Sequence, residues 1–188
     1  ILNYIESYHN AEENYQNIIQ FFNDQKIKTN KYLLKSILHL LLKISNNHYR
    51  LPYFFIKIEN IIQYLLENIK QTWSNFEIFH IFKSNKRILL FLIEEKIIDI
   101  DSKIFKIINN GKYAQANYTE YFFPEIKNYL NEEQNEALSE KCHEKFEEKR
   151  KTGENDNYIC ELIRNDSIQE FIQYINKNDI SVKEYKIK

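Results

Sequence analysis

The organisation of this chain depends on the stretch from Asn157 to Ser181, NYICELIRNDSIQEFIQYINKNDIS. Here two segments with apolar residues at spacings of three and four flank the polar tripeptide Arg164-Asn165-Asp166. This spacing predicts two short helices. The tripeptide predicts the tight turn between them, with Asp166 as the cap of the second helix. We expect the packing face of this helix pair to be formed by four apolar side chains: Leu162, Ile168, Phe171 and Ile172.

Composition favours helices throughout the chain. Its 188 residues include only two glycines and two prolines, and a sheet protein of this size needs more of both for its tight turns. The sequence therefore predicts an all-α fold, an irregular helical bundle or a solenoid-like array of helix pairs.

Charge and cysteine content bear on partners and on the compartment. The formal net charge of −1 produces no overall field that would attract nucleic acid or an anionic membrane, so we expect neither as a partner. Cys142 and Cys160 have no metal-binding spacing and predict free thiols in a reducing compartment. No apolar run is long enough to span a bilayer. We therefore expect a cytoplasmic protein.

Three long helices are predicted in the first part of the chain. Apolar residues at roughly seven-residue spacing predict one helix over residues 1–22. A cap at Thr29 or Asn30 begins a second helix that reaches Ile44, and Pro52 suits the first turn of a third that ends near residue 69. On the second helix, the expected core face consists of Leu33, Ile37, Leu40, Leu41 and Ile44. On the third, apolar residues repeat at spacings of three and four and predict this core face: Phe54, Phe55, Ile58, Ile61, Ile62, Leu65 and Leu66.

Shorter helices are predicted in the remainder. The first starts at Ser74 or Asn75 and covers Phe76 to Phe82. The others run from the Ser84-Asn85 break to about Glu95, from a cap at Asp101 to Gly111, and from Pro124 to about Leu130. Residues 131–151 are rich in Glu and Lys with a thin apolar stripe. They predict one exposed helix leaning on the domain or, as a second choice, a helical linker. Glu147 and Lys151, four residues apart, predict an ion pair along this segment.

A weak internal repeat relates two parts of the chain. A shift of 80 residues places the segment 75–101 on 155–181. Ile88 then falls on Ile168 and Leu92 on Ile172. Both copies read as a short helix, a polar break and a second helix. A helix pair of this size cannot bury its apolar face alone and must stack on neighbours.

Residues that could carry chemistry form no recognisable constellation. Neighbouring residues on a helix point about 100° apart, so Cys142 and His143 do not converge on one site. We expect His39 and His80, which lie among apolar residues, to be partly buried and hydrogen-bonded. The sequence contains no phosphate-binding glycine loop and no zinc or calcium motif. We therefore expect no catalytic residues, no cofactor and no metal, and hence no enzyme.

One segment resembles a known family. The stretch from Arg150 to Asn176, RKTGENDNYICELIRNDSIQEFIQYIN, resembles the segment just before the ankyrin repeats in a large family of proteins from AT-rich parasitic protists. Residues 77–99 and 121–127 resemble upstream blocks of the same family. The resemblance implies an N-terminal helical domain of unknown function, ending in an ankyrin-like helix pair, with ankyrin repeats beyond Lys188. It brings no catalytic residues. The ankyrin Thr-Pro-Leu-His opening and Gly-His turn are absent, which implies a degenerate or capping unit.

The expected domain organisation combines these observations. The sequence contains no methionine, not even an initiator, and this predicts a domain cut from a longer chain. We expect residues 1–188 to form a single all-helical domain. Residues 1–72 are a possible bundle subdomain, and residues 73–188 a possible array of degenerate ankyrin-like helix pairs.

Three hypotheses for function follow. The first is a noncatalytic protein–protein interaction module that caps downstream ankyrin repeats and presents a surface to an unknown protein partner. The second is a purely structural cap that keeps the repeats soluble. The third, which the sequence favours least, is a helical enzyme or metal protein.

Overall fold

A computed structural model describes most of the chain: residues 1–6, 10–47, 52–110, 118–140, 142, 146–152, 159, 162–163 and 167–178. Every regular element in these ranges is a helix, which confirms the all-α prediction. None of these helices is both long and apolar enough to cross a membrane. The chain divides into two compact units, residues 1–153 and residues 154–188.

The first two helices are short and separate. α1 covers Leu2–Glu6 and α2 covers Ala11–Asp24, so the prediction of one continuous helix over residues 1–22 is wrong. The physical reason is Asn10, whose φ of 56° lies in the left-handed region, which a right-handed helix cannot contain and which asparagine tolerates. A 3₁₀ turn, Ile27–Thr29, follows α2. The core residues of this part are Tyr4, Ile5, Ile18, Phe22 and Ile27.

α3 runs over Lys31–Asn47 and begins at a predicted cap. The side-chain oxygen of Asn30 accepts hydrogen bonds from the backbone N–H groups of Tyr32, at 3.1 Å, and Leu33, at 3.2 Å. These bonds satisfy two of the N–H groups that a helix start leaves without a backbone partner.

The core face of α3 differs from the predicted one. Leu33 and Leu40 are each 39% exposed and Ile37 is only half-buried, so the prediction is wrong for Leu33 and Leu40 and right for Leu41 and Ile44. Because apolar residues cover most of the circumference of α3, two faces fit the 3.6-residue period, and packing against the neighbouring helices decides between them. The buried apolar residues of α3 are Leu34, Leu38, Leu41, Leu42 and Ile44.

α4 covers Pro52–Thr72 and starts at the predicted proline. Proline suits a first turn because its missing N–H would have no partner there. The predicted core face is confirmed, since all seven of its side chains are buried: Phe54, Phe55, Ile58, Ile61, Ile62, Leu65 and Leu66.

Three short helices follow α4 along the chain. They are α5 (Asn75–Phe82), α6 (Lys86–Glu94) and α7 (Ser102–Asn109). α3, α5 and α6 all contact α4. Ser74 and Asp101 cap α5 and α7 as predicted, and Asn85, from the predicted break, caps α6.

A pair of reciprocal hydrogen bonds closes the α5–α6 helix pair. The side-chain amide of Asn75 donates to the backbone oxygen of Asp99 at 2.8 Å, and the backbone N–H of Asp99 donates to the Asn75 oxygen at 2.9 Å. The start of α5 is thereby tied to the segment that leads from α6 into α7.

Two very short helices follow. α8 covers Tyr118–Tyr121, α9 covers Phe123–Ile126, and a 3₁₀ turn spans Lys127–Tyr129. The predicted 124–130 helix is therefore split. Three aromatic residues of this region are buried in the core: Tyr118, Tyr121 and Phe122. Gly111, the predicted helix end, lies outside the described residues.

The charged region contains two helices where one was predicted. α10 covers Glu132–Ser139 and α11 covers Phe146–Thr152, and Cys142 between them is not helical. The prediction of one exposed helix over residues 131–151 is wrong. The physical reason is Arg150 in α11, which is buried at 5% exposure and holds this helix to the core through bonds described below.

The second unit contains α12, Ile168–Lys177. The backbone N–H of Ser167 donates to the backbone oxygen of Leu162 at 2.9 Å. Ser167 stands at the N-cap position, and Asp166, the predicted cap, lies outside the described residues. Within residues 1–153, helices on both sides of residue 72 share one core. The structure therefore divides the chain after Gly153 and not at residue 72.

Candidate functional site

The four predicted packing residues near the end of the chain have different environments. Leu162 is buried and Phe171 is half-buried. Ile168 is 59% exposed and Ile172 is 46% exposed, so the prediction that these two face a core is wrong for this chain. They lie four residues apart on α12, which places them side by side on one side of the helix. α12 therefore presents an apolar surface to solvent.

The internal repeat shows how unusual this exposure is. Ile88 and Leu92, which the 80-residue shift places on Ile168 and Ile172, are completely buried in α6. Phe82 and Leu162, a further equivalent pair, are both buried. The two copies thus share an apolar pattern, but the two equivalent side chains are buried only in α6 and are exposed in α12.

The charges at the ends of α12 are placed as in a well-formed helix. Glu170 lies in its first turn and Lys177 in its last turn, where each opposes the partial charge of the helix dipole. Glu170 is exposed, as the sequence indicates. The exposed isoleucines are therefore part of an ordered amphipathic helix.

A buried polar network connects α3 to the start of α6. The side-chain amide of Asn85 donates to the hydroxyl of Ser45 at 2.7 Å and to the side-chain oxygen of Asn46 at 2.8 Å. The Asn85 oxygen accepts from the backbone N–H of Ile88 at 3.0 Å. Because all three bonds are used inside the protein, Asn85 has a structural role.

A second polar cluster, the Arg150 clasp, joins α11 to α8 and α9. The Arg150 guanidinium donates to both carboxylate oxygens of Glu125, at 2.6 and 2.9 Å, and to the Glu147 carboxylate at 2.7 Å. It also donates to the backbone oxygen of Tyr121 at 2.8 Å, and the Tyr121 hydroxyl donates to the Arg150 backbone oxygen at 2.9 Å. Desolvation by burial raises the pKa of Tyr121.

Sequence reasoning missed the Arg150 clasp. It expected an i,i+4 pair between Glu147 and Lys151, whereas Glu147 pairs with Arg150 and Lys151 pairs with Glu94 at 2.8 Å. A run of charged residues gives no sign of which one is buried. The distant partner, Glu125, is known only from the fold. Both terminal nitrogens of the arginine are hydrogen-bonded to groups of the protein itself, so the clasp has a structural role.

Glu59 and Arg87 form a further partly buried ion pair, between α4 and α6. Their closest atoms are 3.0 Å apart, with each side chain less than a fifth exposed. Desolvation by burial raises the pKa of Glu59, although Arg87 acts to lower it. A carboxyl group with a raised pKa is a common feature of acid–base catalysts. Here, however, the charged groups that act on Glu59 are Arg87, Glu94 and Lys151, and each of them is held in an ion pair of the protein. The environment of Glu59 is therefore structural.

The cysteine and histidine candidates are dispersed. Cys142 is a half-buried free thiol, and desolvation raises its pKa, which makes it a weaker nucleophile at neutral pH. His39 and His80 are exposed, so the prediction that they are partly buried is wrong. Desolvation and Lys83 lower the pKa of His80. Cys160 and His143 lie outside the described residues.

The described residues bring no catalytic constellation together. They contain no group of three or more His, Cys, Asp or Glu side chains placed to hold a metal ion. An open groove of about 480 Å³ lies between α3 and the α5–α6 turn, and its lining includes Lys43, Asn46 and Ser84. A second open groove of about 460 Å³ lies beside Tyr15 and Lys57. What the structure offers is therefore surface: the exposed side of α12 and the groove beside α3.

Comparison of the chain with protein-family models, with curated proteins and with solved structures finds no match.

Proposed function

We propose that this chain is a noncatalytic protein–protein interaction module that forms the N-terminal helical capping domain of an ankyrin-repeat protein in the cytoplasm. The observation that carries the proposal is the exposed apolar side of α12, where Ile168 and Ile172 are 59% and 46% exposed. Exposed apolar side chains grouped on one face are typical of a binding surface. The resemblance of residues 150–176 to the segment before ankyrin repeats supplies the occupant: the first helix pair of the downstream repeats.

The physical argument for the cap concerns burial. An ankyrin-type helix pair is stable only when its apolar face is covered by the next pair. In the equivalent helix α6, Ile88 and Leu92 are covered by the rest of the molecule. Docking of a helix pair on α12 would do the same for Ile168 and Ile172, and each would contribute on the order of 1 kcal/mol for the area that is still exposed.

Hydrogen exchange tests the proposal. The amides of α12 should exchange at least about tenfold more slowly in the longer parent protein than in the 188-residue chain, because docking adds to their opening free energy. Ile168→Glu with Ile172→Glu should remove this protection. Gln169→Glu with Gln173→Glu, on exposed positions of the same helix, is the matched control and should retain it. Equal exchange rates in the parent protein and the chain would contradict docking on α12.

The remaining hypotheses have separate tests. A purely structural cap predicts that removal of the domain lowers the solubility of the repeats and leaves their partners unchanged. A helical metal protein predicts stoichiometric metal in the purified chain, which elemental analysis would measure. Neither has a specific observation in its favour among the described residues.

A further inference from the structure

α3 carries more apolar side chains than its core face uses. Five of them are buried, yet Leu33 and Leu40 are each 39% exposed and Tyr32 is 85% exposed. Leu33 and Leu40 are seven residues apart, which is two helical turns, so they lie on the same side of the helix. The core accounts for one face of α3 and leaves a second apolar strip in solvent.

The charge of α3 is entirely positive. Its 17 residues include Lys31, Lys35 and Lys43 and no Asp or Glu. Glu77 of α5 is close enough to Lys31 and Lys35 for both lysines to lower its pKa, after the larger effect of its hydrogen bonds with Ser74. No carboxylate of the described residues lies within ion-pair distance of Lys43. The C-terminal half of the exposed strip therefore has an uncompensated positive charge.

Lys43, three residues after Leu40 on α3, also lines the groove between α3 and the α5–α6 turn. This groove is lined by Lys43 together with polar and apolar side chains, and none of the lining residues is acidic. Asn46 accepts the Asn85 amide through its oxygen, so the NH₂ group of Asn46 remains as a donor on an exposed residue. The groove thus offers hydrogen-bond donors and a cation beside the apolar side chains of Leu42 and Ile81.

We propose that the exposed side of α3, from Leu33 through Leu40 to Lys43, and the groove beside it bind an acidic amphipathic segment of a partner protein. The occupant follows from charge complementarity. Carboxylates would meet Lys43 and the Asn46 donors, and apolar side chains of the same segment would cover Leu33 and Leu40. The inference rests on the proposed function, because it names the chemistry of the partner that the interaction module takes.

Lys43 also has a structural role that any test must separate from binding. It lies in the second-last turn of α3, where a cation stabilises the negative end of the helix dipole by up to about 1 kcal/mol. Removal of this charge therefore lowers stability slightly even when no partner exists. Only a change in binding, measured on folded protein, bears on the proposal.

The test uses a fluorescein-labelled helix-forming peptide in which Glu-Glu-Leu-Leu is repeated four times. Its anisotropy is followed on titration with the 188-residue chain, and a Gln-Gln-Leu-Leu peptide serves as the neutral probe. We expect saturable binding of the acidic probe and at least about tenfold weaker binding of the neutral one, since only the first can pair with the lysine. Ionic strength near 1 M, where the Debye length is about 3 Å, should weaken the acidic probe's binding.

Variants locate the site. Lys43→Glu and Leu40→Ser should each weaken binding of the acidic probe about fivefold or more. The matched controls on α4, Lys70→Glu and Ile56→Ser, change an exposed lysine and a 57% exposed isoleucine and should bind like the wild-type chain. Thermal unfolding of each variant shows that it is folded. Lys43→Gln removes the charge without reversing it, and binding of the acidic probe to this variant provides a second test of the role of the charge.

Several results would overturn the proposal. Equal binding of the acidic and neutral probes, no saturable binding, or equal losses in the α3 and α4 variants would each exclude an acidic segment at α3. Self-association of the wild-type chain that Lys43→Glu abolishes would make the occupant a second copy. These outcomes leave the hydrogen exchange of α12 unaffected, so failure here is distinguishable from failure of the proposed capping function.

Discussion

At the scale of single residues, Arg150 shows how one buried charge can position a helix. Its side chain is almost fully buried, with two bonds to Glu125 and one each to Glu147 and the Tyr121 backbone. Arg150→Met should lower the free energy of unfolding by about 3 kcal/mol, because it leaves the partly buried Glu125 carboxylate without its partner. Urea unfolding of the 188-residue chain measures this.

The neighbouring lysine provides the control for Arg150. Lys151 pairs with Glu94 at 2.8 Å, but both side chains are largely in solvent. Lys151→Met should change the free energy of unfolding by only about 0.5 kcal/mol, as expected for an exposed ion pair. Equal losses for the two substitutions would show that the Arg150 clasp is not buried as described.

Glu59 makes a prediction about pH. Burial raises its pKa above the ordinary value of 4.5, so the folded protein takes up this proton at a higher pH than the unfolded chain. The stability that Glu59 contributes is therefore fully present below pH 4.5 and is lost as the pH rises through the folded-state pKa. The difference in unfolding free energy between wild type and Glu59→Gln should fall with rising pH.

Glu77 should behave in the opposite sense. Its hydrogen bonds from the Ser74 backbone and side chain lower its pKa below 4.5. Its contribution is present above pH 4.5 and is lost as the pH falls through the folded-state pKa. The difference between wild type and Glu77→Gln should therefore rise with rising pH. Slopes of the same sign for the two carboxyl groups would contradict these environments.

At the scale of elements, the buried face of α3 in the structure differs from the face that its sequence predicts. The sequence places Leu40 and Leu41 together on the core face, whereas the structure buries Leu41 completely and leaves Leu40 39% exposed. Leu41→Ala should lower the free energy of unfolding by about 2–5 kcal/mol, because it leaves a cavity. Leu40→Ala should cost less than about 1 kcal/mol. Thermal or urea unfolding distinguishes them, and equal costs would support the face predicted from sequence.

Elements with strong local signals were predicted well. The proline at position 52 and the caps Asn30, Ser74 and Asp101 each act through bonds within a few residues, so the sequence alone shows them. The α4 face was confirmed because its apolar residues occupy one side. Local signals failed at Asn10, whose left-handed backbone divides the first helix, and on α3, where neighbours decide which face is buried.

The candidate surfaces were less predictable than the helices. The amphipathic pattern of α12 is visible in the sequence, but a pattern shows which residues can be buried and not whether anything covers them. Ile168 and Ile172 are exposed for that reason, although Ile88 and Leu92 have the same spacing and are buried. The Arg150 clasp and the groove beside α3 need residues distant in sequence, and no local pattern brings these together.

At the scale of the whole molecule, the described residues form a helical unit over 1–153, and α12 lies in a second unit over 154–188. The structure offers surfaces of two kinds. α12 presents exposed isoleucines, which we propose to pack on a neighbouring helix pair. α3 presents leucines beside Lys43, which has no ion-pair partner among the described residues, and we propose that this surface binds an acidic segment. A molecule that acts through such surfaces depends on contact with other proteins.

Quantitative affinity capture from cells tests this central claim most directly. The baits are the full-length protein that contains these 188 residues and the same protein without residues 1–153. We predict that the intact bait recovers at least one protein that the shortened bait recovers about tenfold less or not at all, with Lys70→Glu in the intact bait as the neutral control. Identical partners and amounts on the two baits would contradict an interaction module and leave only a structural cap.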